Sequence, residues 1–236
     1  IDGDRNWKAA WLRISGMSRA FAGNYGEAVR LLEEAAALVS SFGDTAAYRY
    51  SLCACYAWLG EAKRNQFDFT EAERWHERAV GLCREAEARG GAALIYTLYA
   101  QSLADSVLSG HECDEAKLRR VLKRARAFFD KFHLRWYRGV ACAYSALAAC
   151  KAGSYEEAAD CLAEARAAAE LLDSDYERCV TDRVSAQIKA ILAQNGEGTE
   201  TLAALVNEDI EFYKKRALRV TERLSLPIEK ACLEGL

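Results

Sequence analysis

The sequence contains a single proline, Pro227, among its 236 residues. Because proline is the strongest helix breaker, its scarcity leaves nearly the whole chain able to form helices. Strand signals are also missing, since neither sustained two-residue alternation nor runs of β-branched residues occur. These two absences predict an all-α chain.

Signals for a membrane or a secreted protein are absent too. No apolar run approaches the roughly 20 residues that cross a bilayer, and no signal peptide is visible. The 32 basic and 35 acidic residues nearly balance, which argues weakly against bulk nucleic-acid binding. We therefore expect a cytoplasmic protein without membrane or direct nucleic-acid contact. The chain begins with Ile1 rather than Met, so we expect a fragment of a longer protein.

Catalytic and metal-binding motifs are also missing. The three histidines, His76, His111 and His133, form no HExxH or HxH arrangement, and the sequence contains no P-loop, GxGxxG or GxSxG. His76 falls at a helix position that is usually apolar, so we interpret it as a packed side chain rather than a ligand or base. We expect no catalytic residue, no metal and no cofactor.

The nine cysteines are an odd number and show no paired CxxC spacing. They stand within alanine-rich helical stretches, so we interpret them as small buried hydrophobic residues in a reducing cytoplasm. Cys53 and Cys55 are two positions apart on a helix and point away from each other, which disfavours a shared metal ion.

A short motif recurs along the chain. The sequence GNYGEA at 23–28 returns as GSYEEA at 153–158, with weaker copies at 68–72 and 112–116. The Glu-Ala pairs of the four copies are 44, 44 and 42 residues apart. A fixed period of this size is typical of stacked-repeat proteins.

Apolar residues spaced by three and four positions predict ten helices between Gly, Asn and Asp signals. Connections of two to six residues predict antiparallel neighbours. Asp44 and Asp114 are the expected N-caps of the third and sixth helices, and Pro227 suits a first helical position. The predicted helices span 5–22, 26–42, 44–64, 70–89, 92–109, 114–132, 134–152, 155–172, 175–194 and 199–217. They form an array over 1–217, with units at 5–43, 44–90, 91–133, 134–173 and 174–217, and a capping helical segment at 218–236.

Each unit resembles a tetratricopeptide (TPR) repeat, in a variant longer than the usual 34 or so residues. A small residue lies in the first helix of a pair, an Ala follows twelve residues later in the second helix, and another Ala follows after seven more. These positions are Gly16, Ala28 and Ala35; Gly60, Ala72 and Ala79; Ala104 and Ala116; and Ala146, Ala158 and Ala165. Lys123 stands at the last position of the third unit, so its helix is expected to be rotated or less tightly packed.

The resemblance implies a right-handed α-solenoid of antiparallel helix pairs, with about 10–11 helices, in which small residues let paired helices cross closely. Units of this length are similar to the helical-repeat sensor regions of MalT-like, LuxR-type bacterial transcriptional regulators. In such proteins the array receives a signal or docks a protein beside an ATPase and a DNA-binding domain. By this analogy the chain would bind a protein, a peptide or a small-molecule effector.

In TPR arrays the first helix of each repeat lines a concave groove, and the register places fourteen residues of this chain there. Their mixture of polar and aromatic groups suits a peptide or small ligand, and the alternative is ordinary solvated helix positions. The predicted groove residues are Arg13, Met17, Phe21, Tyr50, Glu61, Arg64, Asn65, Leu98, Gln101, Asp105, Ser109, Trp136, Leu147 and Lys151.

The sixth predicted helix is strongly basic. A basic helix can contact phosphates, but these charges alternate with an apolar stripe and no aromatic stacking platform accompanies them. A solvated outer face is the favoured interpretation. The basic residues are Lys117, Arg119, Arg120, Lys123, Arg124, Arg126 and Lys131.

The sequence leaves three functional hypotheses. The first is a non-catalytic binding module, the sensor or docking segment of a bacterial regulator. The second is a passive scaffold that self-associates through apolar faces near Ile1 or within Ala203–Leu226, because terminal repeats need polar caps to stay soluble. The third is a helical-bundle enzyme, for which the sequence shows no convergent polar site.

Overall fold

The computed structural model describes residues 2–85, 91–195 and 198–236. Within these ranges all regular structure is helical, which confirms the predicted all-α class. A search of the same ranges finds no helix with the length and apolarity to span a bilayer. The chain divides into two compact units, Ile1–Glu112 and Cys113–Leu236, and this boundary lies inside the predicted third repeat at 91–133.

The first unit is a sequence of helices in which each packs against the next, while α3 also contacts α1 and α5. The end predicted for the fourth helix, at 89, lies outside the described residues. The helices are α1 (Asp2–Phe21), α2 (Tyr25–Ser40), α3 (Ala46–Arg64), α4 (Phe69–Glu85) and α5 (Gly91–Asp105), followed by a 3-10 helix at Ser106–Ser109.

The second unit contains α6 to α12. Here α7 packs against α6, α8 and α9, and α9 packs against α8, α11 and α12. The short α10 packs against α8. The helices are α6 (Glu115–Phe132), α7 (Arg138–Lys151), α8 (Tyr155–Leu171), α9 (Asp175–Asn195), α10 (Glu200–Leu205), α11 (Ile210–Leu224) and α12 (Pro227–Glu234). Twelve α-helices are therefore described, where about 10–11 were predicted.

Small residues bring the first two helix pairs into close contact. A Cβ added at Gly16 would lie 2.7 Å from Leu32 Cγ, and one added at Gly60 would lie 2.6 Å from the His76 ring. Both partners stand sixteen residues after the glycine, and Ala28 of the first pair is fully buried. The same spacing thus produces the same contact in both pairs, because only a residue without a side chain fits there.

The third predicted repeat was aligned wrongly by two residues. Ala116, predicted at the close helix crossing, is exposed, as is Lys123. The buried residues of α6 include Leu118, Leu122 and Ala125, which repeat the four- and three-residue spacing of the α2 core. The Glu-Ala pair misled the alignment because it lies in the first, exposed turn of α6.

The start of α7 also differs from the prediction. The helix begins at Arg138 rather than near 134, after Tyr137 adopts a left-handed backbone with φ of 65°. The buried Glu177 carboxylate accepts hydrogen bonds from the backbone N–H groups of Tyr137 and Gly139, each at 2.9 Å. A side chain of α9 therefore caps α7 where the local sequence provides no cap.

The single helix predicted at 199–217 is two helices. α10 ends at Leu205 and α11 begins at Ile210. The Asp209 side chain caps α11 by accepting a hydrogen bond from the Phe212 N–H at 2.6 Å. The sequence prediction did not include this N-cap, which marks the start of a separate helix.

Two of the three predicted helix-start signals are confirmed. Asp114 accepts from the Lys117 N–H at 2.8 Å, and Pro227 is the first residue of α12. The cap of α3 is Thr45, which accepts from the Tyr48 N–H, so the prediction of Asp44 was wrong by one residue.

Candidate anion-binding site

The fourteen predicted groove residues differ widely in exposure. Seven are buried: Glu61, Arg64, Asn65, Leu98, Gln101, Asp105 and Leu147. Arg13 and Met17 are half-buried, and Phe21, Tyr50, Ser109, Trp136 and Lys151 are exposed. The buried half presents almost no surface to a ligand in this conformation.

Four of the buried residues form one hydrogen-bonded cluster. Arg64 donates from Nε and Nη2 to the two Glu61 carboxylate oxygens at 2.9 and 2.7 Å, and from Nη1 to Asp105 Oδ2 at 2.7 Å. Asn65 donates to Glu61 Oε1 at 2.8 Å. The guanidinium joins α3 to α5, and its donors are occupied by carboxylates of the same unit.

His76 occupies the core of the same unit. Its ring is fully buried, packs over Gly60 and stacks on Tyr99 with centroids 5.7 Å apart. Neither ring nitrogen has a hydrogen-bond partner among the described residues. Burial, assisted by the Arg64 charge, lowers the pKa of His76 to about 3, so the ring is neutral. The prediction of a packed histidine is confirmed.

The second unit contains a corresponding buried arginine. Arg183 of α9 pairs with Glu229 of α12 at 2.6 Å and donates to the Tyr144 hydroxyl at 2.5 Å. Arg183 and Glu229 are each 1% exposed. This cluster was not predicted, because its members are separated by 39 or more residues and belong to three helices. Like the Arg64 cluster, it is internally paired.

The exposed charge of the second unit converges on a cleft beside α6. The cleft encloses about 630 Å³, and its wall carries Arg119, Arg120, Lys123 and Arg126. Two carboxylates, Asp130 and Glu157, accompany these four cations. The floor consists of Ser145, Ala148 and Ala149 of α7, together with Leu122 and Ala127 of α6. We refer to it as the basic cleft.

The carboxylates near the basic cleft neutralise only part of its charge. Arg119 pairs with Glu157 at 3.4 Å, and Asp130 pairs with Arg138 at 2.8 Å. In the part of the chain that the structure describes, Arg120 and Lys123 form no ion pair. Two exposed cations are thus available to an anion in the cleft.

Arg126 is held at the base of the wall. It donates to Glu164 Oε2 at 3.1 Å and to Cys161 Sγ at 3.0 Å. Burial acts to lower the pKa of Arg126, but Cys161, Cys142, Glu164 and Asp130 together outweigh that effect and raise it. The guanidinium remains charged, and these two contacts hold it against α8.

A second cleft, of about 440 Å³, lies along α9 and α11. Its charged groups pair within the cleft, since Arg216 pairs with Asp182, and Arg178 pairs with Asp175 at 2.5 Å. Its local charge is therefore largely cancelled. The basic cleft is the better anion site.

The cations of the basic cleft are visible in the sequence, but the cleft itself is not. Four of the seven basic residues singled out on the sixth predicted helix line it. The floor residues come from α7, where an alanine-rich sequence provides no functional signal. Within the described ranges, no group of three or more His, Cys, Asp or Glu side chains could hold a metal ion.

Neither protein-family models nor curated proteins provide a relative of this chain. No protein-family model matches the chain, and no curated protein matches it significantly. Any functional interpretation must therefore depend on the residues and contacts of the chain itself.

Proposed function

We propose that the chain is a non-catalytic, TPR-like binding module, and that its basic cleft recognises an acidic segment of a partner protein. The observation that carries the proposal is the four-cation wall of α6 above an alanine floor, with Arg120 and Lys123 outside any described ion pair. Arginine and lysine on one face recognise carboxylates by charge-assisted hydrogen bonds. The apolar floor suits the side chains between the acidic residues.

The repeated helix contacts support the TPR-like part of the proposal. The positions expected to be small at helix crossings are fully buried in three repeats, at Ala28, Ala72 and Ala158, and the glycines at 16 and 60 make equivalent contacts. Within each unit, the helices would form antiparallel pairs stacked with a right-handed twist. A rigid stack of this kind presents a surface site of fixed shape.

The setting that we propose is a cytoplasmic docking or sensor segment of a bacterial transcriptional regulator. Binding of the acidic segment at α6 and α7 would be relayed through helix packing to attached domains. The ligand is placed in the basic cleft rather than in the predicted groove because seven of the fourteen groove residues are buried.

Reversing the two unpaired charges tests the proposal. The variant Arg120→Glu/Lys123→Glu should bind a fluorescently labelled octaglutamate peptide at least about tenfold more weakly than the unaltered chain. The reason is that each exposed ion pair contributes up to about 1 kcal/mol, and reversal of two charges adds repulsion. Fluorescence anisotropy at low and high salt measures the difference, and unaltered binding should weaken as salt rises.

The matched control is Lys215→Glu/Arg219→Glu, which makes the same change in net charge at exposed positions of α11. An equal loss of affinity in this control would mean that overall charge, not the cleft, attracts the peptide. Failure of the unaltered chain to bind the peptide would overturn the proposal. Tighter binding of a single-stranded oligonucleotide would contradict the choice of a protein partner.

A further inference from the structure

Helix α1 is apolar on two opposite faces. One face packs on its neighbours through Ala9, Leu12 and Ala20, which are buried. The other face carries four exposed apolar side chains, Trp7 (78% exposed), Trp11 (63%), Ile14 (58%) and Phe21 (53%). We refer to these four residues as the α1 stripe.

The spacing of the α1 stripe is that of a coiled-coil seam. Its members, with Ser18 between them, follow one another by four, three, four and three residues. At 3.6 residues per turn they fall within an arc of about 80° on the helix surface. A helix that packs only against its own unit needs one apolar face, so this second, regular stripe requires another explanation.

The α1 stripe is large enough to form the centre of a dimer interface. With tryptophan side chains of up to about 250 Å², the four exposed fractions correspond to about 500 Å² of apolar surface on each copy. That lies at the upper end of the largest patches on ordinary monomers, roughly 300–600 Å². Two copies would together bury about 1,000 Å² through the stripe alone, which reaches the lower threshold of a specific interface.

Residue size along the stripe selects the direction of pairing. Asp4 continues the seam at the N-terminal end of α1, whereas Arg19 lies on another face, where it pairs with Glu27 at 3.2 Å. An antiparallel arrangement opposes the two helix dipoles. A parallel arrangement would bring the two Asp4 carboxylates together. Antiparallel packing also sets the bulky Trp7 against the small Ser18 of the second copy.

We propose that two copies of this chain associate through an antiparallel, twofold-symmetric contact between their α1 stripes. The inference is independent of the basic cleft, which lies in the other unit. Phe21 already contacts Trp58 with ring centroids 4.7 Å apart, so one end of the stripe is held in place before association. Ordered aromatic side chains lose little conformational freedom on binding.

Light scattering on the full chain over a dilution series measures the association. The unaltered chain should have twice the 26.2 kDa mass of one copy. The variant Trp11→Lys/Ile14→Lys should be monomeric, with a dissociation constant raised at least about 100-fold. The control Leu171→Lys changes an equally exposed apolar residue, 65% exposed on α8, and should leave the mass doubled. Circular dichroism confirms that each variant is folded.

A size swap tests the direction of the pairing. Trp7→Ser and Ser18→Trp should each weaken the dimer, because the first leaves a gap and the second sets two tryptophans against each other at both ends of the interface. The double variant Trp7→Ser/Ser18→Trp should restore it. A monomeric unaltered chain, a dimer that persists in Trp11→Lys/Ile14→Lys, or a double variant weaker than both single ones would overturn the proposal. A monomer that binds neutral lipid vesicles through the stripe would also overturn it.

Discussion

His76 is a histidine in a position that the first helix pair fills with leucine. In the first pair, Leu32 stands sixteen residues after Gly16 and packs against it, and His76 has the same relation to Gly60. The ring nitrogens have no partner in the described residues. A buried polar group without a hydrogen bond costs roughly 1–3 kcal/mol. The sequence predicted the burial of this ring, but not its isolation, which depends on α3 and α5.

The substitution His76→Leu should therefore raise the free energy of unfolding by about 1–3 kcal/mol at pH 7. Leucine is accommodated beside glycine at the equivalent place in the first pair, so no steric penalty is expected. Urea unfolding followed by circular dichroism measures the change. The control His111→Leu alters an exposed histidine and should change the stability by less than about 0.5 kcal/mol.

His76→Leu should also remove the loss of stability in acid that His76 causes. The pKa of His76 is about 3 in the folded chain and about 6.5 when unfolded, so below pH 6.5 the unfolded chain binds a proton that the folded chain does not. Stability thus falls as the pH drops, by up to about 1.4 kcal/mol per pH unit down to pH 3. The Arg64 charge contributes to this shift, and Glu61 and Asp105 lie around it. A stability difference between the variant and the unaltered chain that stays constant from pH 7 to pH 4 would contradict this assignment.

Helix boundaries show which elements the sequence can predict. The starts of α6 and α12 follow from Asp114 and Pro227, which act on backbone groups within three residues of themselves. The start of α7 depends on Glu177, forty residues after Tyr137. A local pattern carries no information about such a partner, so the prediction began this helix about four residues early.

The contact that starts α7 leaves no room for a side chain at Gly139. A Cβ added there would overlap Glu177 Oε2 and lie 3.1 Å from the Ala165 carbonyl oxygen. Gly139→Ala should therefore lower the free energy of unfolding by about 2 kcal/mol or more, through loss of the two hydrogen bonds to the buried carboxylate. Thermal and urea unfolding provide the measurement.

Gly81→Ala is the matched control for this prediction. Gly81 is also within a helix, is exposed, and has no atom within 4 Å of an added Cβ. Alanine should stabilise α4 there by about 0.5–1 kcal/mol, because glycine is the poorer helix former. Similar changes in stability for both variants would show that helix propensity, rather than the Glu177 contact, determines the outcome.

At the scale of the molecule, composition and period predicted the class and most of the helices. They could not predict the sites. Arg64 and Asp105 were chosen for a ligand groove by register, yet they bond to each other across 41 residues. The cations of α6 were visible in the sequence, whereas their cleft exists only because Ser145 and Ala149 of α7 form a floor beneath them. Pairing between distant helices decided both cases.

The nine cysteines provide a test of the whole fold. All lie in the described residues as thiols, eight are buried, and Cys113 before α6 is half-buried. Burial raises the pKa of most of them, to about 12 for Cys55. Cys83 is an exception, because a hydrogen bond with Cys53 lowers its pKa, but its 4% exposure excludes a reagent. The solvent accessibility of each thiol, rather than its pKa, should therefore decide which cysteines react first with a thiol reagent.

With Ellman's reagent at pH 8, we expect one thiol per chain to react quickly and eight to react slowly, at rates set by opening of the helices that bury them. Cys113→Ser should remove the fast phase and leave the slow phase unchanged, while denaturant should release all nine thiols at once. Two or more fast thiols in the folded chain would contradict the burial of the helix cores. A fast phase that survives in Cys113→Ser and disappears in Cys83→Ser would show that the lowered pKa of Cys83 outweighs its burial.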